Sequence, residues 1–211
     1  MNSTFWGRYG GVIILFIFHL VGIVGMSSPY RQLFAALTPF HLLLSSALLY
    51  FYQKSQTALL RKRMIIMVVL GYAIEWIGVH TGFPFGSYHY GQNLGFKISG
   101  IPVIIGLNWF ILSMGARAVA QRLFLSKALQ IAGGAILMVM LDLLIEPVAI
   151  QIDYWHWAQN EIPLQNYIAW FVVGLLFQAL LVYRMQKLQN PLAIHVLWIQ
   201  ALFFIVLNLS L

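Results

Sequence analysis

Seven apolar runs, each near the roughly 20 residues that a helix needs to cross a bilayer, follow one another along this chain with short separators. They lie at approximately 9–26, 32–52, 64–82, 101–120, 128–148, 164–183 and 191–211 of the 211 residues. Only 8% of the residues are charged, against about 25% in a soluble domain, so no soluble domain of ordinary size fits beside these runs. The expected fold is all-α, a polytopic membrane helical bundle of about seven transmembrane helices forming one integral membrane domain over residues 1–211. Gly10 to Gly25, following Arg8, reads as a first transmembrane helix and not a cleaved leader, because further spans follow and no clear small-x-small cleavage site is present.

Basic residues then set an orientation. With seven spans, the N-terminus and the second, fourth and sixth loops share one side. Arg8, Lys54, Arg61, Lys62, Arg63, Arg117, Arg122, Lys127, Arg184 and Lys187 fall there, ten of the twelve Lys and Arg residues. Only Arg31 and Lys97 fall on the other side. The expectation is a multi-pass protein of the cell (inner) membrane, N-terminus cytoplasmic and C-terminus outside. The formal charge of +7 then reports topology and contact with membrane lipid, and no nucleic-acid partner is expected.

The acids concentrate towards the other side. The chain has five, and three stand in LDLLIEPVAIQIDYWHW, residues 141–157. Asp142 and Glu146 are four apart, which on a helix puts them on one face, one turn apart. A third intramembrane acid, Glu75, shares a stripe with Gly71, Gly78 and Gly82. The glycines alone suit helix packing. A glutamate among them points to a site, because an acid at bilayer depth costs roughly 2.5–3.5 kcal/mol on insertion scales. A carboxylic acid that keeps its proton in a low-dielectric cluster is what a general acid requires.

After the glycine stripe, FPFGSYHYGQNLGFKISGIP is broken by Gly86, Gly91, Gly95, Gly100, Pro84 and Pro102, so it is no continuous helix. It reads as a compact cap holding Tyr88, His89 and Tyr90 at the membrane surface. Tyr and Trp also populate ordinary interfacial belts, and for Trp155 and Trp157 taken singly the belt is the simpler reading. Two aromatic loops beside three acids equally suit a pocket that stabilises positive charge.

Several chemistries are excluded by pattern. Cysteine is absent, which removes disulfides, thiolate nucleophiles and cysteine-ligated metal. The six histidines (His19, His41, His80, His89, His156 and His195) form no paired box of the kind membrane di-iron enzymes use, so no metal is expected. His80 and His89 are candidates for orienting a carboxylate or a water, whereas His19, His41 and His195 read as buried hydrogen-bonding residues. The last run, Pro191 to Leu211, has no lysine for a retinal Schiff base. No phosphate-cradling glycine loop and no nucleophile elbow is present. Arg117, Asn108, Gln178, Gln200 and Asn208 read as interhelical or interfacial polar residues, Asn108 beside Trp109 being the one closest to the chemistry.

Two motifs together carry a family resemblance. EWIGVHTGFPFGSYHYGQNLG (75–95) with GIP (100–102), and DLLIEPVA (142–149) with W-x-W at 155–157 and PLQNYIAW (163–170), resemble the carotenoid biosynthesis protein family, over roughly residues 65–175. Where members of that family often carry Asp before the proline, this chain has Glu146. The resemblance implies a carotenoid hydratase, a cofactor-independent hydro-lyase that adds water across a terminal (1,2-type) double bond of an acyclic carotenoid end group such as that of lycopene or γ-carotene. Its partners are then a lipid-soluble polyene and water, with no cofactor.

The residues suit that chemistry. Protonating a trisubstituted alkene needs an acid, holding the tertiary cation needs aromatic faces, and capturing it needs water with a base. The expected acid/base pair is Asp142 and Glu146, with Glu75 as third member. Tyr88, Tyr90, Trp109, His80, His89, Trp155 and Trp157 are the candidate substrate-binding residues. A carotenoid cyclase or isomerase would begin with the same protonation, and a non-catalytic pigment-binding or transport protein would use the acids as a proton relay.

Overall fold

The computed structural model describes residues 3–55, 57–183 and 187–211. Arg184, used above for orientation, lies outside them. Among the described residues there are eight helices: α1 (Ser3–Met26), α2 (Arg31–Ala36), α3 (Thr38–Phe51), α4 (Thr57–Thr81), α5 (Ile105–Leu123), α6 (Lys127–Gln151), α7 (Leu164–Val182) and α8 (Ala193–Ser210). The only strands among these residues are four short ones: β1 (Tyr88–Tyr90), β2 (Lys97–Ile98), β3 (Ile101–Pro102) and β4 (Trp155–Trp157). The protein is an all-α membrane protein with a small β cap.

Five helices are long and apolar enough to cross a membrane: α4, α6, α7 and α8 nearly end to end, and α1 over Tyr9–Met26. Among the described residues, length and composition thus give five of the expected seven or so, for two local reasons. The second run is broken at Leu37, just before Thr38–Pro39, because a proline inside a continuous helix would lose a backbone bond and clash with the preceding turn. Its longer piece, α3, has 14 residues and reaches only about 21 Å at 1.5 Å per residue, short of a hydrocarbon core of about 30 Å. The fourth run, α5, carries Arg117 and Arg122 and so is less apolar than its neighbours.

α5 is instead the axis of the bundle. It packs against α3, α4, α6, α7 and α8, and every residue from Trp109 to Ala120 is buried. Small residues let its neighbours close in: a Cβ on Gly106 would collide with the Val68 carbonyl of α4, and one on Gly115 would lie 3.1 Å from Leu197 Cβ of α8. Arg117, buried within α5, donates from Nη1 to Gln130 Oε1 at 2.5 Å. Two helix starts are fixed by side-chain acceptors. Ser126 Oγ accepts from Leu129 N at the start of α6, and Asn190 Oδ1 accepts from Leu192 N and Ala193 N at the start of α8.

The cap forms from the two aromatic loops. β1 and β4 pair antiparallel with Tyr88 opposite Trp157, His89 opposite His156 and Tyr90 opposite Trp155. Because side chains alternate across a strand, YHY and WHW send four aromatics inward and both histidines outward. Tyr88, Tyr90, Trp155 and Trp157 are buried accordingly. Asp153, at φ 57°, clasps the two loops: Oδ2 accepts from Gln92 N at 2.8 Å, and Oδ1 lies 2.7 Å from His156 Nε2. Burial pushes its carboxyl up, but the bonds from His156 and Gln92 and the charges of His156 and Lys97 outweigh this and hold it below the usual carboxylate range.

Candidate active site

Glu75 on α4 and Asp142 and Glu146 on α6 are all buried, and the cap supplies most of their hydrogen-bond donors. Tyr88 and Tyr90 both donate from OH to Glu75 Oε2, at 2.5 and 2.6 Å, and Trp109 Nε1 donates to Oε1 at 2.9 Å. Trp155 and Trp157 both donate from Nε1 to Glu146 Oε2 at 2.9 Å, and Asn166 Nδ2 donates to Oε1 at 3.1 Å. Each glutamate thus has one oxygen with two aromatic donors and one oxygen with a single donor.

The two shells differ in kind. Trp and Asn offer only N–H groups to Glu146, and an N–H cannot accept a proton's bond in return. Two of the three partners of Glu75 are hydroxyls, which can rotate and either donate or accept. Burial first, and then the charge of Glu75, hold both tyrosine hydroxyls well above the ordinary phenol range, so they stay protonated. Asp142 is served least: Oδ2 accepts from Asn166 Nδ2 at 3.0 Å, and Oδ1 is buried with no partner among the described residues.

The glycine stripe on α4 is explained by this shell. A Cβ on Gly71 would lie 2.9 Å from Trp109 Cδ1, and one on Gly78 would lie 2.8 Å from Phe85 Cδ2 and 2.9 Å from the Tyr88 hydroxyl. The stripe is a packing feature, as its composition suggests, and what it packs are the donors of Glu75. On the opposite side Trp109 stacks on Trp170 with ring centroids 4.1 Å apart.

Glu75 and Glu146 line a cavity of about 20 Å³, together with Tyr88, Tyr90, Trp109, Trp155, Trp157, Asn166 and Trp170. That is room for one water molecule. Asp142 does not line it. Ile105, Asn108 and Trp155 also line a second cavity of about 300 Å³ between α1, α3 and α8, whose walls are mostly apolar. Its rim includes Phe18 and Val21 in the C-terminal half of α1 and Phe40 on α3, which are 51%, 50% and 68% exposed. Among the described residues no three histidine or carboxylate groups converge as a metal site.

The structure therefore brings together Glu75, Glu146, Tyr88, Tyr90, Trp109, Trp155 and Trp157 at one cavity, with Asp142 behind it. It does not bring in two other candidates. His80 is exposed, bonds the Trp76 carbonyl at 2.8 Å and stacks on the Trp76 ring, while His89 is exposed on the outer face of the ribbon against His156. Trp155 and Trp157, which singly read as belt residues, touch a carboxylate directly. Asn166 is a site residue that the sequence marks only weakly, as the second of two adjacent amides, Gln165 and Asn166, in the first turn of an apolar helix within the PLQNYIAW motif.

Comparison with known proteins gives the family. The family model described as "Carotenoid biosynthesis protein" matches residues 37–211, a longer stretch than the two motifs occupy. A bisanhydrobacterioruberin hydratase of Haloarcula japonica is 27% identical over 119 residues, 53% of this chain and 41% of that protein. The matched part thus spans less than half the length of that relative. No solved structure matches the chain. With the match running from Leu37, just before α3, to residue 211 and enclosing all three acids and both cap strands, the chain belongs to the carotenoid biosynthesis protein family.

Proposed function

We propose that the protein is a carotenoid hydratase that adds water across a terminal, 1,2-type double bond of an acyclic end group such as that of lycopene or γ-carotene, without a redox cofactor. The observation that carries this reading is the pairing of Glu75 and Glu146 across a water-sized cavity walled by aromatic rings. The larger cavity suits the end group. Its volume of about 300 Å³ is at the low end for ligand pockets, enough for an end group and not for the whole polyene, and its rim of exposed apolar side chains within the membrane span of α1 suits entry sideways from the bilayer. In this reading α2–α3 and α5 complete the seven membrane-embedded segments, with the N-terminus cytoplasmic and the C-terminus outside.

The donor sets favour distinct roles. Glu75 is the acid, since its tyrosine partners can accept from a protonated carboxyl as readily as they donate to an ionised one. Glu146, surrounded by N–H groups alone, is the carboxylate base. Glu75 gives its proton to the less substituted alkene carbon, the π electrons form that C–H bond, and a tertiary cation remains at the neighbouring carbon. The faces of Trp109, Trp155, Trp157 and Trp170 stabilise it. Water attacks the cation as Glu146 removes one of its protons, leaving a tertiary alcohol. Proton return from Glu146 to Glu75 through a second water resets the site. Asp142 is a positioning group, holding the Asn166 amide against Glu146.

Expression in cells that make lycopene or γ-carotene tests this. The expected product is heavier than the substrate by one water. An isomer of unchanged mass would assign a cyclase or isomerase instead, and unmodified pigment with the protein present in the membrane would overturn the catalytic reading.

A further inference from the structure

We infer that a polar corner of the larger cavity, built by His19 on α1, His41 on α3 and Gln200 on α8, is a binding site for an alcohol carried on an isoprenoid end group. Those residues line a mostly apolar chamber with Phe18, Phe34 and Phe203, in which Thr38, Asn108 and Tyr154 are the other polar side chains. The His19 and His41 rings meet edge to face with centroids 4.3 Å apart, and His19 is held by its Nδ1 donating to the Leu15 carbonyl at 2.8 Å. Two buried polar atoms there have no hydrogen-bond partner among the described residues: His41 Nε2 and Gln200 Oε1.

An unmet buried polar atom is destabilising, and two in one apolar chamber call for a ligand that meets both. A hydroxyl does so, donating its O–H to the amide oxygen while its lone pair accepts the imidazole N–H. A hydrocarbon can do neither and a carbonyl only one. The corner also stands where it can act on the reaction, because Asn108 and Trp155 line this chamber and the acid cavity alike. The inference rests on the chamber being the polyene site proposed above. The hydroxyl has two sources: a substrate end group already hydroxylated near its remaining double bond, or the product alcohol on its way out.

The test is binding to the full chain in lipid nanodiscs, read by quenching of tryptophan fluorescence. The probes are lycopene, a lycopene analogue with a hydroxyl on the end group and its terminal double bond intact, and 1-hydroxy-1,2-dihydrolycopene. At least one alcohol should bind about tenfold more tightly than lycopene, equivalent to about 1.4 kcal/mol. Preference for the unsaturated alcohol assigns the incoming substrate, and preference for the dihydro alcohol assigns the product. His41→Phe and Gln200→Leu should abolish the preference, by weakening the alcohols far more than lycopene, and keep or raise thermal stability. Gln200→Met gives the same reading should either variant fail to accumulate. Equal affinities in the unmodified protein, a preference that survives both substitutions, or variants that lose stability and lycopene binding together would overturn the inference. An intact alcohol preference without any hydrated product would overturn the reaction and leave this site standing; hydration without alcohol preference would do the reverse.

Discussion

Tyr88 and Trp157 stand directly opposite each other in the β1–β4 ribbon, with ring centroids 5.2 Å apart, yet they serve different carboxylates. Tyr88 donates to Glu75 at 2.5 Å and Trp157 to Glu146 at 2.9 Å. One rung of a two-stranded ribbon thus fixes an acid on α4 relative to an acid on α6. The next inward rung repeats the arrangement, since Tyr90 and Trp155 make the same division. The cap is therefore the element that sets the separation of the two groups, and the helices only bring them near.

If Glu75 and Glu146 exchange protons with substrate and water, neither can be replaced by its amide. Glu75→Gln and Glu146→Gln should each lower turnover by about 10²–10⁴, the usual contribution of acid–base catalysis. Asp142→Asn keeps a polar partner for Asn166 and should lose no more than about tenfold, as expected of a group outside the cavity. Hydrated product formed in membranes of lycopene-producing cells, normalised to protein, separates these cases. An Asp142→Asn loss as deep as the other two would move the proton donor to α6.

The tyrosine hydroxyls matter for a specific reason, namely that they can accept as well as donate. Tyr88→Phe leaves Tyr90 and Trp109 on Glu75 and should cost about tenfold in kcat. Removing both hydroxyls leaves the Trp109 indole as sole partner and should cost well over 10²-fold, beyond the product of two roughly tenfold single losses, because the two share one oxygen. Steady-state rates of the two single variants and the double variant complete the cycle, and simple additivity would show that the hydroxyls act independently.

Gly71 and Gly78 should tolerate no methyl group. The added Cβ would lie 2.9 Å from Trp109 and 2.8 Å from Phe85, both fully packed rings. Overpacking of this kind costs about 1–3 kcal/mol. Gly71→Ala and Gly78→Ala should therefore lower the temperature at which the detergent-solubilised protein loses its monodisperse gel-filtration peak, and lower turnover with it. Unchanged stability in both would mean that the aromatic shell is looser than its distances indicate.

Much of this site was legible because charge is so scarce. In a chain with five acids, the three at membrane depth could be picked out by cost alone, and the helical period placed Asp142 and Glu146 on one face. What could not be read was the pairing of YHY with WHW, two segments some 65 positions apart, whose register decides which aromatic meets which acid. For that reason Asp142 looks equal to Glu146 in the sequence, and the amide of Asn166 on α7 gains its meaning only when α6 and α7 pack together. The seven apolar runs likewise reported hydrophobicity correctly but could not show that α5 is apolar because protein surrounds it on every side.

Asp153 offers a test of the cap that is independent of catalysis. Its folded-state carboxyl lies below the usual range, so by linkage its contribution to stability is present above the ordinary aspartate value near 3.9 and is lost as pH falls through the lowered folded value. Asp153→Asn removes that term. The thermal stability of the unmodified protein should fall towards that of the variant as the pH drops below about 4, and the two should differ most near neutrality. Parallel curves across this range would mean that the Gln92 and His156 contacts do not hold the ribbon.

Orientation can be tested cleanly because the chain has no cysteine of its own. Single cysteines at His89 on the exposed face of the cap and at Leu125 in the basic α5–α6 connection should label from opposite sides of the membrane. Lys54, Arg61, Lys62, Arg63, Arg122 and Lys127 sit at the same end of the bundle as Leu125 if α2–α3 and α5 both traverse, and the positive-inside rule then places Leu125 in the cytoplasm. An impermeant maleimide applied to intact cells should therefore modify His89→Cys and spare Leu125→Cys until the membrane is opened. Labelling of both from outside would mean that α5 does not cross, and would require a different route for water to the carboxylates.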